Sequence, residues 1–406
     1  MNQNKSLELY KRAVEVIPGG TQTLSKYHGR LEFEGAPIYL EDAYSCYVVD
    51  VDGNKYIDWS GALGPIILGY DFFTPFNINP SFPLPVEEEV ELAELLCKII
   101  PCAEMVRFFK TGSDATTAAV RLARAVTGRG NILCSGYHGW HDWYVETLPD
   151  PKNRGVTVSG LYGKTIKIEY GNLHDLNYYF EKYRPACFIL EPMSRLCPEK
   201  ASRDYLLGVK ELCDQHGIIL IFDEIIMGFR YALAGGQELF EVMPDLATYS
   251  KAMANGYSIS TLVGRKEFMR ELEHMQVSGT YFGETTGIRA ALQTINYIVK
   301  ENVIDYLWEQ GSKLMSGINL IIDKYDLFDV VELKGFGPWF ILKFKNDKDE
   351  QIFLREIFSN GIFCTGEHFV TYSHGDKHIK ETLEVYEFVF HYLKTVKDCT
   401  KAIRKS

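Results

Sequence analysis

The chain reads as an α/β protein: a large unit with a mostly parallel central sheet, joined by a smaller α+β unit formed from the N- and C-terminal segments. Three observations point there. Short apolar runs recur at Val106 to Phe109, Cys187 to Leu190, Ile218 to Phe222 and Leu246 to Tyr249, the pattern of strands buried on both faces. Stretches with helical spacing, such as Val90-Glu91-Leu92-Ala93-Glu94-Leu95-Leu96, alternate with them, so helices cover the sheet. The length of 406 residues is also too great for one small module.

Each element has its own pattern. The first twenty residues mix Glu8 and Glu15 with Lys5, Lys11 and Arg12. That is an amphipathic helix ending at Pro18-Gly19-Gly20, not the apolar core of a leader. Tyr47 to Val51 and Tyr56-Ile57 flank Asp52-Gly53-Asn54, and Asp-Gly between apolar alternations marks a hairpin. From about residue 86 helices and strands alternate. After about Gly287 two long helical stretches lead to strands at Val330 to Leu333 and Trp339 to Phe344, then to a closing helix near Glu381 to Lys394. The expected organisation is a segment 1–60 joining the small domain, a large domain 61–286, and a C-terminal small domain 287–406.

Composition narrows the function classes. Hydrophobic residues at 46% and charged residues at 24% are ordinary for a globular protein and exclude wholesale disorder. The 43 Lys and Arg against 54 Asp and Glu give a net charge of −11. A surface of that sign repels nucleic acid and anionic membrane, yet leaves room for a local basic pocket that takes a small anion. The nine cysteines are scattered without a CxxC pair, which argues for buried thiols in a reducing cytosol and against a zinc site. The apolar run Ile218 to Phe222 is far too short to cross a bilayer. The expectation is a soluble cytoplasmic protein without a metal.

Ligands of open α/β sheets sit beyond the carboxyl ends of the strands. After Val106 to Phe109 comes Lys110-Thr111-Gly112-Ser113-Asp114-Ala115, opening a helix. Gly112, the Ser113 hydroxyl and a helix N-terminus together make an anion cradle suited to phosphate. After Cys187 to Leu190 comes Glu191-Pro192; after Ile218 to Phe222, Asp223-Glu224; after Leu246 to Tyr249, Ser250-Lys251. Singly, each of these is a solvated strand end or an ordinary turn. Together with the cradle they match the needs of pyridoxal 5′-phosphate: a lysine amine for a Schiff base, a carboxylate at the pyridine nitrogen, a phosphate nest and a flat group over the ring. Tyr137-His138-Gly139-Trp140 offers Tyr137 or His138 as the flat group. A metal pair of His138 and His141 lacks nearby acidic ligands other than Asp142.

With these residues in view, the chain resembles the class III, fold-type I, pyridoxal-phosphate-dependent aminotransferases, and among them the glutamate-1-semialdehyde aminomutase-like branch. The likeness runs nearly end to end. It includes Ile17-Pro18-Gly19-Gly20, Asp50-Val51-Asp52-Gly53-Asn54, Gly64-Pro65-Ile66-Ile67-Leu68-Gly69, Gly112-Ser113-Asp114-Ala115, Tyr137-His138-Gly139, Glu191-Pro192, and Phe222-Asp223-Glu224 with Gly228-Phe229-Arg230. The resemblance implies that Lys251 forms the Schiff base and Asp223 pairs with the pyridine nitrogen. It further implies that Gly112 and Ser113 hold the phosphate, Tyr137 stacks on the ring, and Glu191 lies near the ring hydroxyl. Thr280, in Gly279-Thr280-Tyr281, resembles the threonine that reaches the phosphate of the neighbouring subunit, which implies a homodimer.

The departures concern the substrate. Where the aminomutases carry an arginine for the substrate carboxylate, Thr21-Gln22-Thr23-Leu24-Ser25-Lys26 offers Lys26, which cannot make arginine's bidentate fork. Leu63 replaces an aromatic residue, and Gly283-Glu284-Thr285 replaces Gly-Asn-Pro. His141-Asp142-Trp143-Tyr144 stands where the aminomutases have a long lid. The expected activity is amino transfer from an amino-acid donor, L-glutamate, to a carbonyl acceptor such as a sugar or phosphorylated metabolite of surface-polysaccharide synthesis, with Lys26 and His138 facing substrate. The alternative is an intramolecular aminomutase of the glutamate-1-semialdehyde type. A third reading, a fold kept only for binding, leaves Lys251 and Asp223 without a purpose.

Overall fold

A computed structural model describes residues 3–26, 28, 36–73, 80–150, 152–156, 163–195 and 197–405. The chain divides into two compact units, Phe76–Ile304 and the pair of segments Met1–Pro75 with Asp305–Ser406.

In the second of these units, β1 (Leu40–Tyr44), β2 (Tyr47–Asp50) and β3 (Lys55–Asp58) form an antiparallel meander. The β2–β3 turn is the expected one: Asp50 accepts hydrogen bonds from the Asp52 N–H at 3.1 Å and the Asn54 N–H at 2.7 Å.

The unit Phe76–Ile304 holds the large sheet, built from β4 (Met105–Phe109), β5 (Ile132–Ser135), β6 (Thr165–Lys167), β7 (Cys187–Leu190), β8 (Ile219–Asp223), β9 (Leu246–Tyr249) and β10 (Ser260–Gly264). Their order is β4-β10-β9-β8-β7-β5-β6. Strands β9, β8, β7, β5 and β6 pair in parallel, while β10 runs antiparallel to both of its neighbours. The mostly parallel sheet expected from the apolar runs is therefore present. Every residue of β5, β7, β8, β9 and β10 is buried; side chains such as Phe188 and Phe222 each contribute roughly 1.5–3 kcal/mol by burial. The helix Gly112–Thr127 lays Ala115, Ala119, Leu122 and Ala123 into this core.

The C-terminal segment adds β11 (Val331–Phe336), β12 (Trp339–Phe344), β13 (Ile362–Phe363) and β14 (Glu367–Phe369), closed by the helix Asp376–Lys405. Strand β13 lies parallel to β3, with Ile362 opposite Ile57, so the two terminal segments share one sheet.

The unit boundaries fall later than the pattern changes implied, and the reason is local bonding. Residues beyond 60 belong with the terminal segments: the Tyr70 N–H donates to the Ser45 carbonyl at 2.9 Å, and the Ser373 hydroxyl to the Leu68 carbonyl at 2.7 Å. The helix Thr285–Lys300 stays with the large sheet. Gly287 packs on the Ser258 carbonyl, and Arg289 Nε donates to Glu88 Oε1 at 2.9 Å. Among the described residues, no helix is long and apolar enough to cross a membrane.

Candidate active site

The carboxyl ends of β8 and β9 set the geometry. Asp223, the last residue of β8, stands opposite Thr248 in the ladder, and Lys251 lies two residues past Tyr249, where β9 ends. A short 3-10 turn, Lys251–Ala254, begins there, and Lys251 itself has φ of 45°. A non-glycine residue in the left-handed region is held there by its surroundings.

Asp223 is 5% exposed. Its Oδ2 lies 2.7 Å from Nδ1 of His138. Its Oδ1 accepts from the Ile225 N–H at 3.2 Å and, at 3.5 Å, from the Thr248 hydroxyl. The adjacent Glu224 points to the other side, as strand alternation requires, and accepts from the N–H groups of Gly236 at 2.8 Å and Gln237 at 3.0 Å. Burial pushes the Glu224 carboxyl up to about 8. The two neighbouring carboxylates thus have separate roles: Glu224 fastens a loop, and Asp223 faces the site. Glu191, just past β7, is also buried, and burial raises its carboxyl to about 7. Gly136 (φ 115°) lies so close to it that a Cβ there would be 2.5 Å from Glu191 Oε2.

The cradle at the start of Gly112–Thr127 is built as a capping box. Thr111 accepts from the Asp114 N–H at 3.3 Å, and the Thr111 N–H donates to Asp114 at 2.8 Å; such a cap stabilises a helix by about 1 kcal/mol. The N–H groups of Gly112 and Ser113, at the first two helical positions, have no intrahelical acceptor and are available to an anion. The 137–140 loop closes over them: the Trp140 N–H donates to the Ser113 hydroxyl at 3.3 Å, and the Thr116 hydroxyl to the His138 carbonyl at 3.0 Å. Gly139 (φ 105°) makes that approach possible, since a Cβ there would be 2.3 Å from Ser113 Oγ.

Tyr137 presents its ring to solvent at 57% exposure, with its edge against Tyr144 at 5.5 Å. Burial, and then the charge of Asp223, push its phenol up.

These residues fit pyridoxal 5′-phosphate. A buried carboxylate, a flat exposed phenol, two helix N–H groups without an intrahelical acceptor beside a hydroxyl, and a lysine at the next strand end all belong to one end of one sheet. The family description "Aminotransferase class-III" matches residues 32–386. The chain belongs to the class-III aminotransferases. As a class-III aminotransferase of fold-type I, it takes pyridoxal 5′-phosphate as its cofactor. It is 35% identical to the 3-aminobutyryl-CoA aminotransferase of Cloacimonas acidaminovorans over 94% of this chain and 95% of that one. It is 36% identical to the glutamate-1-semialdehyde 2,1-aminomutase of Chlorobaculum tepidum over 80% of each. The fold is shared with the PLP internal aldimine form of the FumI protein of Sphingopyxis sp. MTA144, at a TM-score of 0.86, 24% identity and 98% coverage of both chains.

The two residues of this aminotransferase expected to face substrate differ in their surroundings. His138 does not face an open substrate space; it is 2% exposed and spent on Asp223 and on the Ser135 carbonyl, the latter 3.1 Å from its Nε2. Lys26 lies in the other unit, exposed at the end of the turn Leu24–Lys26, where it lines a cavity of about 370 Å³. Thr280 is exposed. Glu284, in place of the Gly-Asn pattern, caps the helix Thr285–Lys300 and pairs with Lys110 at 2.8 Å. Sequence reasoning missed the supports of Asp223, namely Thr248, the Ile225 N–H and the Ser135 carbonyl behind His138. Only Thr248 carried a readable signal, a polar residue inside an apolar strand.

Proposed function

We propose that this enzyme moves an amino group from L-glutamate to a separate carbonyl acceptor that is hydroxylated or phosphorylated, such as a sugar or a phosphorylated metabolite. The observation that carries the acceptor assignment is the cavity lined by Lys26. Tyr10, Tyr39, His28, Asp58 and Leu63 share its wall. Nδ1 of His28 is buried there with no hydrogen-bond partner among the described residues, and burial lifts the Asp58 carboxyl to about 6. Among the described residues of that wall Lys26 is the one ammonium, set beside phenols, an imidazole and a carboxyl, a set that suits hydroxyls or a phosphate better than the paired oxygens of a carboxylate.

When bound, pyridoxal 5′-phosphate supplies an electrophilic aldehyde and a ring that accepts electrons. The protein's own groups do the rest. Gly112 and Ser113 N–H groups would grip the phosphate, Tyr137 would cover the ring face, and Asp223 would hold a proton at the pyridine nitrogen. Lys251 Nζ would hold the cofactor and, as a free amine, would be the base for the proton on the α-carbon of the donor. The active unit is a homodimer in which Thr280 of one protomer reaches the phosphate bound by its partner; the exposure of Thr280 and of Tyr281 supports this.

A relative named 3-aminobutyryl-CoA aminotransferase supports two-substrate transfer. Relatives named glutamate-1-semialdehyde 2,1-aminomutase support the second reading, migration of the amine within one molecule. The experiment that separates them loads the enzyme with cofactor, adds L-glutamate alone, and measures 2-oxoglutarate. One equivalent per site supports transfer. Formation of 5-aminolevulinate from glutamate-1-semialdehyde, with no 2-oxoglutarate from L-glutamate, installs the mutase.

A further inference from the structure

The segment that carries Thr280 is fastened to the same strand end that opens the phosphate cradle. Strand β4 stops at Phe109, opposite Ser260 of β10. The next residue, Lys110, is pinned there by the Ser258 hydroxyl, which donates to its carbonyl at 2.9 Å. From this base the Lys110 ammonium donates to Glu284 Oε2 at 2.8 Å and to the Ser258 carbonyl at 3.2 Å. The two side chains of the pair are 17% and 18% exposed, so water and salt screen it less than an open surface pair. Phe109 adds a ring contact to Phe282, with centroids 5.0 Å apart at 69°. The segment 279–284 is itself folded tightly: the Phe282 N–H donates to the Gly279 carbonyl and the Glu284 N–H to the Tyr281 carbonyl, both at 3.1 Å. Thr280 and Tyr281 stand exposed at its turn. Glu284 needs no cation to cap the helix Thr285–Lys300, because it accepts from the Thr286 N–H at 2.7 Å and the Gly287 N–H at 3.3 Å. Burial opposes its ionisation, yet the Lys110 ammonium and the donors of Thr286 and Gly287 hold its carboxyl below the usual range. Lys110 is therefore surplus to the cap, and its bond to Glu284 serves something else.

We propose that Lys110 and Glu284 are positioning residues whose ion pair sets the place of the Thr280 segment, so that a chain lacking the pair weakens cofactor binding in its partner's site and spares its own. The chain's own cradle does not depend on the pair, since the capping box of Thr111 and Asp114 orients it. Without the pair, Thr280 must be ordered when the cofactor binds, and that ordering lowers affinity. The proposal rests on the reading of the enzyme as a homodimer in which Thr280 reaches the partner's phosphate, but the pair and its segment belong to one chain.

The test has two arms. In cofactor-free protein, amide hydrogen exchange of the segment 279–284 should quicken in Lys110→Met and in Glu284→Gln, and no further in the double variant, as one shared interaction requires. Lys110→Arg, which keeps the charge, should exchange like wild type. Mixed dimers then locate the effect. One chain carries Lys251→Ala, so the cofactor absorbance that depends on Lys251 reports a single site. With Lys110→Met on the Lys251→Ala chain, the reporting site takes its Thr280 from the altered chain. Its Kd for pyridoxal phosphate should weaken roughly fivefold or more, the scale of coupling between sites. With Lys110→Met on the chain that keeps Lys251, the Kd should match that of the mixed dimer without it. Weakening confined to the altered chain's own site, equal weakening in both placements, or none in either overturns the proposal, and so does unchanged exchange. Should Lys110→Met not fold, Glu284→Gln, which keeps an oxygen for the cap, runs the same two placements. Failure of the dimer reading looks different: sedimentation gives the mass of one chain while the exchange result stands, and the proposal falls with that reading.

Discussion

Asp223 and Thr248 face each other across two parallel strands, and the Thr248 hydroxyl reaches the Asp223 carboxylate at 3.5 Å. That register is what places Lys251, two residues past the end of β9, at the same sheet end as Asp223. A one-residue slip would turn every side chain of β9 to the opposite face. The placement of Asp223 and Lys251 at one sheet end is therefore fixed by the pairing of two buried strands.

Replacing the carboxylate tests its role. Asp223→Asn should still bind pyridoxal phosphate, because the cradle at Gly112 and Ser113 is untouched, but should lose roughly 10²-fold or more in kcat, about 3 kcal/mol in the barrier. Removing the opposite charge lowers the basicity of the ring nitrogen and weakens the electron sink. Steady-state kinetics with L-glutamate reads it. Near wild-type turnover would make Asp223 an ordinary strand end.

Gly139→Ala should damage both stability and cofactor binding. Its φ of 105° and a Cβ position 2.3 Å from Ser113 Oγ combine strain of about 1–3 kcal/mol with a steric overlap on the phosphate cradle. The apoprotein should melt a few degrees lower, and pyridoxal phosphate titration should give a weaker Kd. An unchanged Kd would separate the 137–140 loop from the cradle.

The buried carboxyls give the stability a pH dependence of definite sign. Glu191 and Glu224, raised to about 7 and about 8, hold protons in the folded state that the unfolded chain has already released. Folding therefore binds protons in this range, and stability falls as pH rises through 7 and 8. Thermal melts of the apoprotein from pH 6 to 9 should show a declining Tm, with a shallower decline in Glu224→Gln from a lower starting point. A Tm that does not fall over this range would mean that neither group takes up a proton on folding.

Lys26→Ala should raise the KM of the acceptor and leave the single-turnover release of 2-oxoglutarate from L-glutamate nearly intact, since lost ground-state binding appears in KM. An acceptor KM equal to wild type would remove Lys26 from the substrate's path without touching the rest of the site.

Much of this was legible because buried parallel strands write themselves as apolar runs. Cys187–Leu190 and Leu246–Tyr249 have the bounds their sequence implied, and the polar residues at or just past the strand ends, Glu191, Asp223 and Lys251, pointed to the candidate site. Strand Ser260–Gly264 was not legible. It starts with two buried hydroxyl residues whose polarity hides the strand, and each is satisfied by a backbone carbonyl: Ser260 by Thr111 at 2.6 Å and Thr261 by Arg107 at 3.1 Å. The direction of His138 was equally hidden, because its partner Asp223 lies 85 residues away and only the assembled sheet brings the two together. The helix Thr285–Lys300 carries no pattern that says which unit it packs on; Glu88 and the Ser258 carbonyl decide that in three dimensions.

In the proposed reading Lys251 is the residue that takes the cofactor covalently. Borohydride reduction of the loaded protein, followed by proteolysis and mass spectrometry, tests it directly. The expected result is a pyridoxyl-phosphate adduct on the peptide containing Lys251, lost in Lys251→Ala. An adduct on another lysine, or an unmodified Lys251 peptide from protein that holds the cofactor, would contradict it.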